Sequence, residues 1–282
     1  MALADLCDSR GKFSILAIDH RDSLRAFLRP DDPDSLSAAE ITALKAELID
    51  GVADMASGVM LEPEYSIPQL VGALPSGVAF LAALESQGYL SDPEASPTTM
   101  LDGWSVEQAK ASGAASAKLL LPYRPDRVEH AQLQEAVARD ITAACQAIDF
   151  PIALEPLFYG LAPDDDRVAL VVETAERFAA IGPDLLKLPY PGSESGCDGV
   201  TAAAQSGGPN GPVPWAMLSG GGSFDDFAET FAVAATAGCS GFMVGRALWG
   251  EWARATPAER PRVMNETVCP RFEDLVAITV NT

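Results

Sequence analysis

Basic residues are scarce. Lys and Arg total 19 against 40 Asp and Glu, a formal net charge of -21 over 282 residues, with a sequence pI of about 4.3. Such a chain is repelled by nucleic acid and by anionic membrane surfaces, which excludes both as expected partners. The same field opposes a phosphorylated ligand at long range. An anion site must therefore be built locally, from backbone N–H groups and a few placed cations. The cysteines, Cys7, Cys145, Cys197, Cys239 and Cys269, are odd in number and far apart, with no C-x-x-C. Neither a disulfide framework nor a zinc ribbon is indicated, and reduced cytoplasmic thiols are expected. With only His20 and His130 present, a three-histidine metal site cannot be built. G-x-S-x-G, P-loop and G-x-G-x-x-G patterns are absent. No apolar run approaches the ~18 residues of a membrane span, and MALADLCDSRGK has no signal-peptide core. The protein is expected to be soluble and cytoplasmic.

What is there is an alternation. Short apolar runs, Ser14–Asp19, Gly58–Glu62, Gly77–Glu85, Ala117–Pro122, Ile152–Pro156, Asp184–Pro189, Pro214–Ser219 and Gly241–Val244, read as eight strands. Longer amphipathic stretches lie between most of them: Ala38–Ala56 with Ser37 as its cap, Trp104–Ser112, Asp126–Ile148, Asp166–Ile181 and Phe224–Ala237. A Ser/Pro/Thr-rich loop is expected over Ser91–Thr99, and a Gly/Ser/Pro-rich stretch, Pro191–Pro212, reads as a surface loop or an active-site cover. Helix-separated strands imply a parallel sheet. Eight of them in this length favour an α/β fold of one closed (β/α)8 barrel, a TIM barrel, spanning 1–282 as a single domain.

In such a barrel the chemistry sits at the C-terminal ends of the strands. The runs carry polar residues late or just beyond: Asp19-His20-Arg21, Glu62, Glu85, Lys118, Glu155, Lys187, Ser219-Gly220-Gly221-Gly222 and Gly245-Arg246. Lys187, in DLLKLPY, is the sharpest of these. Burial disfavours an ammonium ion, and a neutral amine can attack a ketone to form an imine. Lys118, in AKLLLP, sits nearer its strand's start, and a second cation nearby disfavours the ammonium further. Glu155, in IALEP, suits general acid/base work. The structural alternative is that these lysines pair with carboxylates such as Glu155 and only hold the barrel together. The Ser219–Gly222 turn offers backbone N–H groups to an anion. The loops after strands seven and eight are the usual phosphate site of a barrel, and Arg246 is placed to clamp the anion, or else to bridge the rim. His130, in a polar helical stretch, reads as a solvated face residue. Asp19, Glu62, Glu85 and Glu155 leave a carboxylate Mg2+ site open.

With these segments in view, the chain resembles the class I aldolase family that contains tagatose 1,6-bisphosphate aldolase and 6-deoxy-6-sulfofructose-1-phosphate aldolase. The resemblance rests on AIDHRDSLRAFL, GVMLEPEY, AKLLLPYRPD, PIALEPLFY, PDLLKLPYP, PWAMLSGGG and AGCSGFMVGRALW, from Ser14 to Trp249. It implies a barrel and a cofactor-free Schiff-base mechanism, with no metal. It implies Lys187 as the imine lysine, Lys118 and Glu155 as proton-transfer assistants, and Asp19, His20 and Arg21 in place of the family's Asp-Gln-Arg; these three are expected to bind the substrate, reading its hydroxyls or its far acidic group. It also implies Ser219, Gly220, Gly221, Gly245 and Arg246 around the anionic end. His20 replaces the usual glutamine, and LPYPG after Lys187 departs from the family's Val-Glu-Val/Met-Pro.

The expected function is reversible Schiff-base (class I) aldol cleavage of a ketose 1-phosphate derivative, tagatose or fructose bisphosphate-like or sulfofructose phosphate-like, to dihydroxyacetone phosphate and an aldehyde. The alternatives are a Mg-dependent sugar-phosphate isomerase or lyase and a non-catalytic sugar-phosphate sensor. The aldehyde's far end is left open among phosphate, sulfonate, carboxylate and hydroxyl. A homo-oligomer is expected.

Overall fold

The computed structural model describes residues 2–87 and 92–281. Eight parallel strands close into one barrel in chain order: β1 (Phe13–Ala17), β2 (Gly58–Leu61), β3 (Ala79–Ala83), β4 (Ser116–Pro122), β5 (Ile152–Leu157), β6 (Leu185–Leu188), β7 (Trp215–Leu218) and β8 (Gly241–Val244). Around it run α1 (Asp22–Leu28), α2 (Ala38–Val52), α3 (Val106–Ala111), α4 (Val128–Ala147), α5 (Arg167–Ala179), α6 (Glu194–Gln205), α7 (Phe224–Thr236) and α8 (Arg246–Arg254). Helices α9 (Arg260–Val263) and α10 (Cys269–Val280) follow. No helix among the described residues is long and apolar enough to cross a membrane. The architecture is the (β/α)8 barrel expected from the alternation.

Strand parity divides the core in two. Residues such as Ile15, Ala17, Met60, Leu81, Ala153, Leu185, Ala216 and Met243 form one cluster, the barrel interior. Their neighbours, among them Leu16, Val59, Leu119, Leu154, Leu186 and Phe242, pack outward under the helices. This is the two-residue period of a strand. On β4, β5 and β6 it sends Lys118, Glu155 and Lys187 inward, between apolar neighbours such as Leu119, Leu154, Leu186 and Leu188 that pack outward. The closing seam needs a glycine. At Gly241, φ is +146°, and a Cβ there would lie 2.0 Å from the Phe13 carbonyl oxygen.

Ser37 caps α2 through a reciprocal box: Glu40 N–H donates to its Oγ at 3.3 Å, and Ser37 N–H donates to Glu40 Oε2 at 2.9 Å. The helix ends at Val52 and tightens into a 3-10 turn, Ala53–Met55, rather than running on to Ala56.

Two sequence expectations are corrected. Pro191–Pro212 is not a loop throughout, because α6 occupies its middle, capped by Ser193 and burying Cys197, Val200, Ala203 and Ala204. Its small residues are what close packing on α5 requires: a Cβ at Gly199 would come within 2.9 Å of Val172. Composition suggested a loop where tertiary contact selects a small-residue helix. His130 is not solvated. It lies buried on α4 with its ring edge-on to Tyr159, and its Nε2 is 3.3 Å from Gln134. The loop expected over Ser91–Thr99 starts on Ser91, and the expected domain on Met1 and ends on Thr282; these three residues lie outside the described ones.

Candidate active site

The strands end around a cavity of about 120 Å³ that opens to solvent. Of the residues singled out in the sequence, Asp19, His20, Lys118, Glu155, Lys187, Ser219, Gly220, Gly221, Gly245 and Arg246 line it. Register explains the centre. Leu120 on β4 lies opposite Glu155 on β5, and Leu154 lies opposite Leu186, so Glu155 and Lys187 stand level while Lys118 starts one layer deeper, beside Ala153. Small neighbours leave room for the long stems: Ala83 and Ala153 pair with Lys118, and Ala216 pairs with Lys187.

The charged groups form one chain. Lys187 Nζ is 2.8 Å from Glu155 Oε1, and Glu155 Oε2 is 3.0 Å from Lys118 Nζ. Lys118 also donates to Asp19 Oδ2 and to Glu85 Oε1, each at 2.8 Å. Glu85 is fixed in turn by the Leu120 N–H, at 3.1 Å from Oε2. Lys187 is 5% exposed and Lys118 1%. Burial opposes the charge of Asp19, but Lys118 and Lys187 outweigh it and hold the carboxyl well below the usual carboxylate range. One carboxylate thus bridges two buried lysines, with one lysine at the open side and the other locked beneath.

His20 lies edge-on to Trp249, with ring centroids 5.2 Å apart. Burial, with the nearby cations Arg246, Lys187 and Lys45, outweighs Asp19 and lowers its pKa to about 3. The imidazole is therefore neutral at pH 7. Stability follows from the same shift. The unfolded chain takes up this proton near the ordinary value of 6.5, while the folded one does so near 3. The neutral imidazole's contribution is complete above pH 6.5 and is lost as the pH falls toward 3, at up to about 1.4 kcal/mol per pH unit. His20→Gln should accordingly lose less stability between pH 7 and 5 than the parent chain. Urea midpoints at the two pH values measure this; equal losses would refute it.

Across the mouth, Gly245 N–H donates to Ser219 Oγ at 3.3 Å, which ties the β7 loop to the start of α8. Gly221, at φ +77°, lies so close to Arg246 that a Cβ there would be 3.2 Å from Nη2. The guanidinium, the backbone of residues 219–221 and the N-terminus of α8 therefore face one volume, an arrangement suited to a phosphate.

Arg21 and Glu62 are not brought into the cavity. Arg21, 1% exposed, donates to Glu64 Oε2 at 2.9 Å and to the Glu85 carbonyl at 2.6 Å. Glu62 pairs with Lys45 of α2 and accepts from Ser66 Oγ at 2.7 Å and from the Glu64 N–H at 2.7 Å. These are supports for the β2–β3 connection. Among the described residues, no group of three or more His, Cys, Asp or Glu is arranged to hold a metal ion. Asp19, Glu85 and Glu155 converge on an ammonium group instead. Ser23, Gln87, Leu120, Leu157 and Leu218 also line the cavity. Strand parity could have found the three leucines, each two residues beyond an inward position. Ser23 and Gln87 lie on connections that carry no such period.

A barrel whose mouth holds a carboxylate-bridged lysine pair opposite an anion loop belongs with the barrel enzymes of carbonyl and amine chemistry. The DeoC/LacD family aldolase model matches residues 13–251. Tagatose 1,6-diphosphate aldolase 1 of Streptococcus pyogenes serotype M1 is 31% identical over 269 residues, covering 85% of this chain and 81% of the relative. Tagatose 1,6-diphosphate aldolase 2 of Streptococcus mutans serotype c is 29% identical over 275 residues, covering 88% and 82%. An archaeal fructose-1,6-bisphosphate aldolase, solved with its catalytic lysine bound to the carbinolamine intermediate, shares the fold at a TM-score of 0.69. It is 20% identical, with 98% of this chain and 97% of that one covered. The chain belongs to the DeoC/LacD aldolase family, and it is an aldolase, a carbon–carbon lyase.

Proposed function

We propose that the protein is a Schiff-base aldolase that reversibly cleaves a ketose 1-phosphate to dihydroxyacetone phosphate and an aldehyde, without a cofactor. One observation carries this: Lys187 Nζ reaches the cavity 2.8 Å from Glu155 Oε1. A nucleophile paired at close range with an acid/base partner is what imine formation requires. The relatives' printed names, tagatose 1,6-diphosphate aldolases, favour a phosphorylated ketose.

Lys187 passes a proton to Glu155 and its amine attacks the ketone carbon. Glu155 returns that proton to the departing hydroxyl, and water leaves the carbinolamine. The iminium accepts the electron pair of the C3–C4 bond as Glu155, ionised again, takes the C4 hydroxyl proton. The aldehyde departs, and the enamine takes that proton back from Glu155 at C3. Hydrolysis of the resulting iminium releases dihydroxyacetone phosphate. Lys118 balances the charge of Glu155 and Asp19 throughout. Asp19 and His20 face the hydroxyls, and the phosphate rests on Ser219, Gly220, Gly221, Gly245 and Arg246. A coupled assay for dihydroxyacetone phosphate release from ketose 1-phosphates, run in excess EDTA, tests the reading. Loss of turnover in EDTA would favour a Mg-dependent isomerase or lyase, and tight binding without turnover would favour a sensor.

Arg246→Ala should raise KM for the phosphorylated substrate roughly 30-fold or more, as expected for losing a charge-assisted phosphate contact, with a smaller effect on kcat. An unchanged KM would remove Arg246 from the phosphate site. The reading includes a cytoplasmic location, supported by five free thiols. It also includes homo-oligomerisation, which light scattering tests against the 29.6 kDa chain mass.

A further inference from the structure

The two ends of the cavity differ in charge. In an eight-stranded barrel, β7 and β8 lie across the mouth from β3 and β4. The β7–β8 side holds Arg246 and the glycine turn. The opposite wall is made by Gln87 after β3, Leu120 on β4 and Leu157 on β5. Two of these three side chains are aliphatic and the third is a neutral amide. Among the described residues that line the cavity, the other lysines and arginines are Lys118 and Lys187, both in contact with Glu155.

Three basic side chains on the segments that follow β1, β4 and β5 are turned to other partners. Arg21 is held by Glu64 and the Glu85 carbonyl. Arg124, just past β4, forks onto Asp126 at 2.8 and 2.9 Å, contacts Asp165 at 2.9 Å and donates to the Gly160 carbonyl at 2.7 Å. Arg167 donates to the Tyr190 carbonyl at 2.8 Å and lines a separate hollow beside β7. A second anion placed against Leu120 and Leu157 would be desolvated without a counter-charge, which is strongly unfavourable.

We propose that the far end of the substrate is uncharged. The protein then acts on ketose 1-phosphates whose cleavage releases a neutral hydroxyaldehyde, rather than a phosphorylated, sulfonated or carboxylated one. This rests on the aldolase reading of the same cavity. Steady-state cleavage of fructose and tagatose 1-phosphates is compared with that of their 1,6-bisphosphates. In the other direction, dihydroxyacetone phosphate is condensed with glyceraldehyde and lactaldehyde, and separately with glyceraldehyde 3-phosphate. The uncharged member of each comparison should have kcat/KM at least ~10-fold higher. Equal or better use of the charged member overturns the proposal. Borohydride capture of dihydroxyacetone phosphate on Lys187, run in parallel, separates the two levels. Capture together with a preference for the charged substrate overturns only the far-end assignment, whereas absence of capture overturns the aldolase reading beneath it. Gln87→Arg adds a cation to the far wall and should narrow the preference ~10-fold. An unchanged preference would overturn the placement of the substrate's far end against this wall.

Discussion

Replacing Lys187 with methionine should reduce kcat by at least about 10⁴-fold, the scale seen when a covalent nucleophile is removed. It should also abolish borohydride-dependent addition of dihydroxyacetone phosphate to the chain. Methionine keeps the length and apolar stem that fill the space between Ala216 and Met60, whose Sδ lies 3.7 Å from Lys187 Nζ. Loss of activity in a folded variant would therefore report chemistry. Intact-mass and peptide spectra after reduction should place the adduct on Lys187 in the parent chain. Full trapping in Lys187→Met would move the nucleophile elsewhere, and Lys118 would be the nearest alternative amine. The geometry argues against Lys118, because three carboxylates, Asp19, Glu85 and Glu155, already surround its Nζ at 2.8, 2.8 and 3.0 Å. An amine so enclosed has little freedom to meet a ketone.

Glu155→Gln should lower kcat by about 10² to 10⁴-fold, the usual contribution of a positioned acid/base group, with KM changed by only a few-fold. Glutamine keeps the shape and can accept from one lysine through its oxygen, but its NH2 group meets the other lysine, and it cannot carry the proton. The variant should also trap dihydroxyacetone phosphate more slowly, since carbinolamine dehydration loses its acid. A circular dichroism melt separates this from unfolding, because removing the charge from a buried bridge costs stability as well. If kcat is retained while only stability falls, Glu155 is a structural ion-pair partner and another group moves the proton.

The two predictions draw on residues that the sequence made visible for a simple reason. Lys118, Glu155 and Lys187 interrupt apolar runs, and a polar residue whose apolar neighbours pack outward has only the barrel interior to enter. The glycine turn and Gly245-Arg246 were visible because they follow the last two strands. Lys45 and Arg21 show the limit. Lys45 lies on α2, where alternation says nothing about a buried amine, and its partner Glu62 was read as a strand-end carboxylate. Arg21 sits in the same short segment as Asp19 and His20, yet its side chain turns to Glu64 and the Glu85 carbonyl. Likewise α6 hides in a Gly/Ser/Pro-rich segment, because its helical state depends on fitting against α5 rather than on local propensity.

By itself the sequence determined the alternation of strand and helix, the closed parallel barrel it implies, and the inward set of Lys118, Glu155 and Lys187. All of these follow from the two-residue period of a strand and the cost of leaving apolar faces in water. Only the tertiary structure decided which charges meet. It joined both lysines to one carboxylate, withdrew Arg21 and Glu62 from the cavity, buried His130, and left leucines and a glutamine facing Arg246. Those outcomes depend on separations of a few ångströms between elements distant in the chain, where a change of side-chain direction replaces one ion pair with another and no local pattern records the choice.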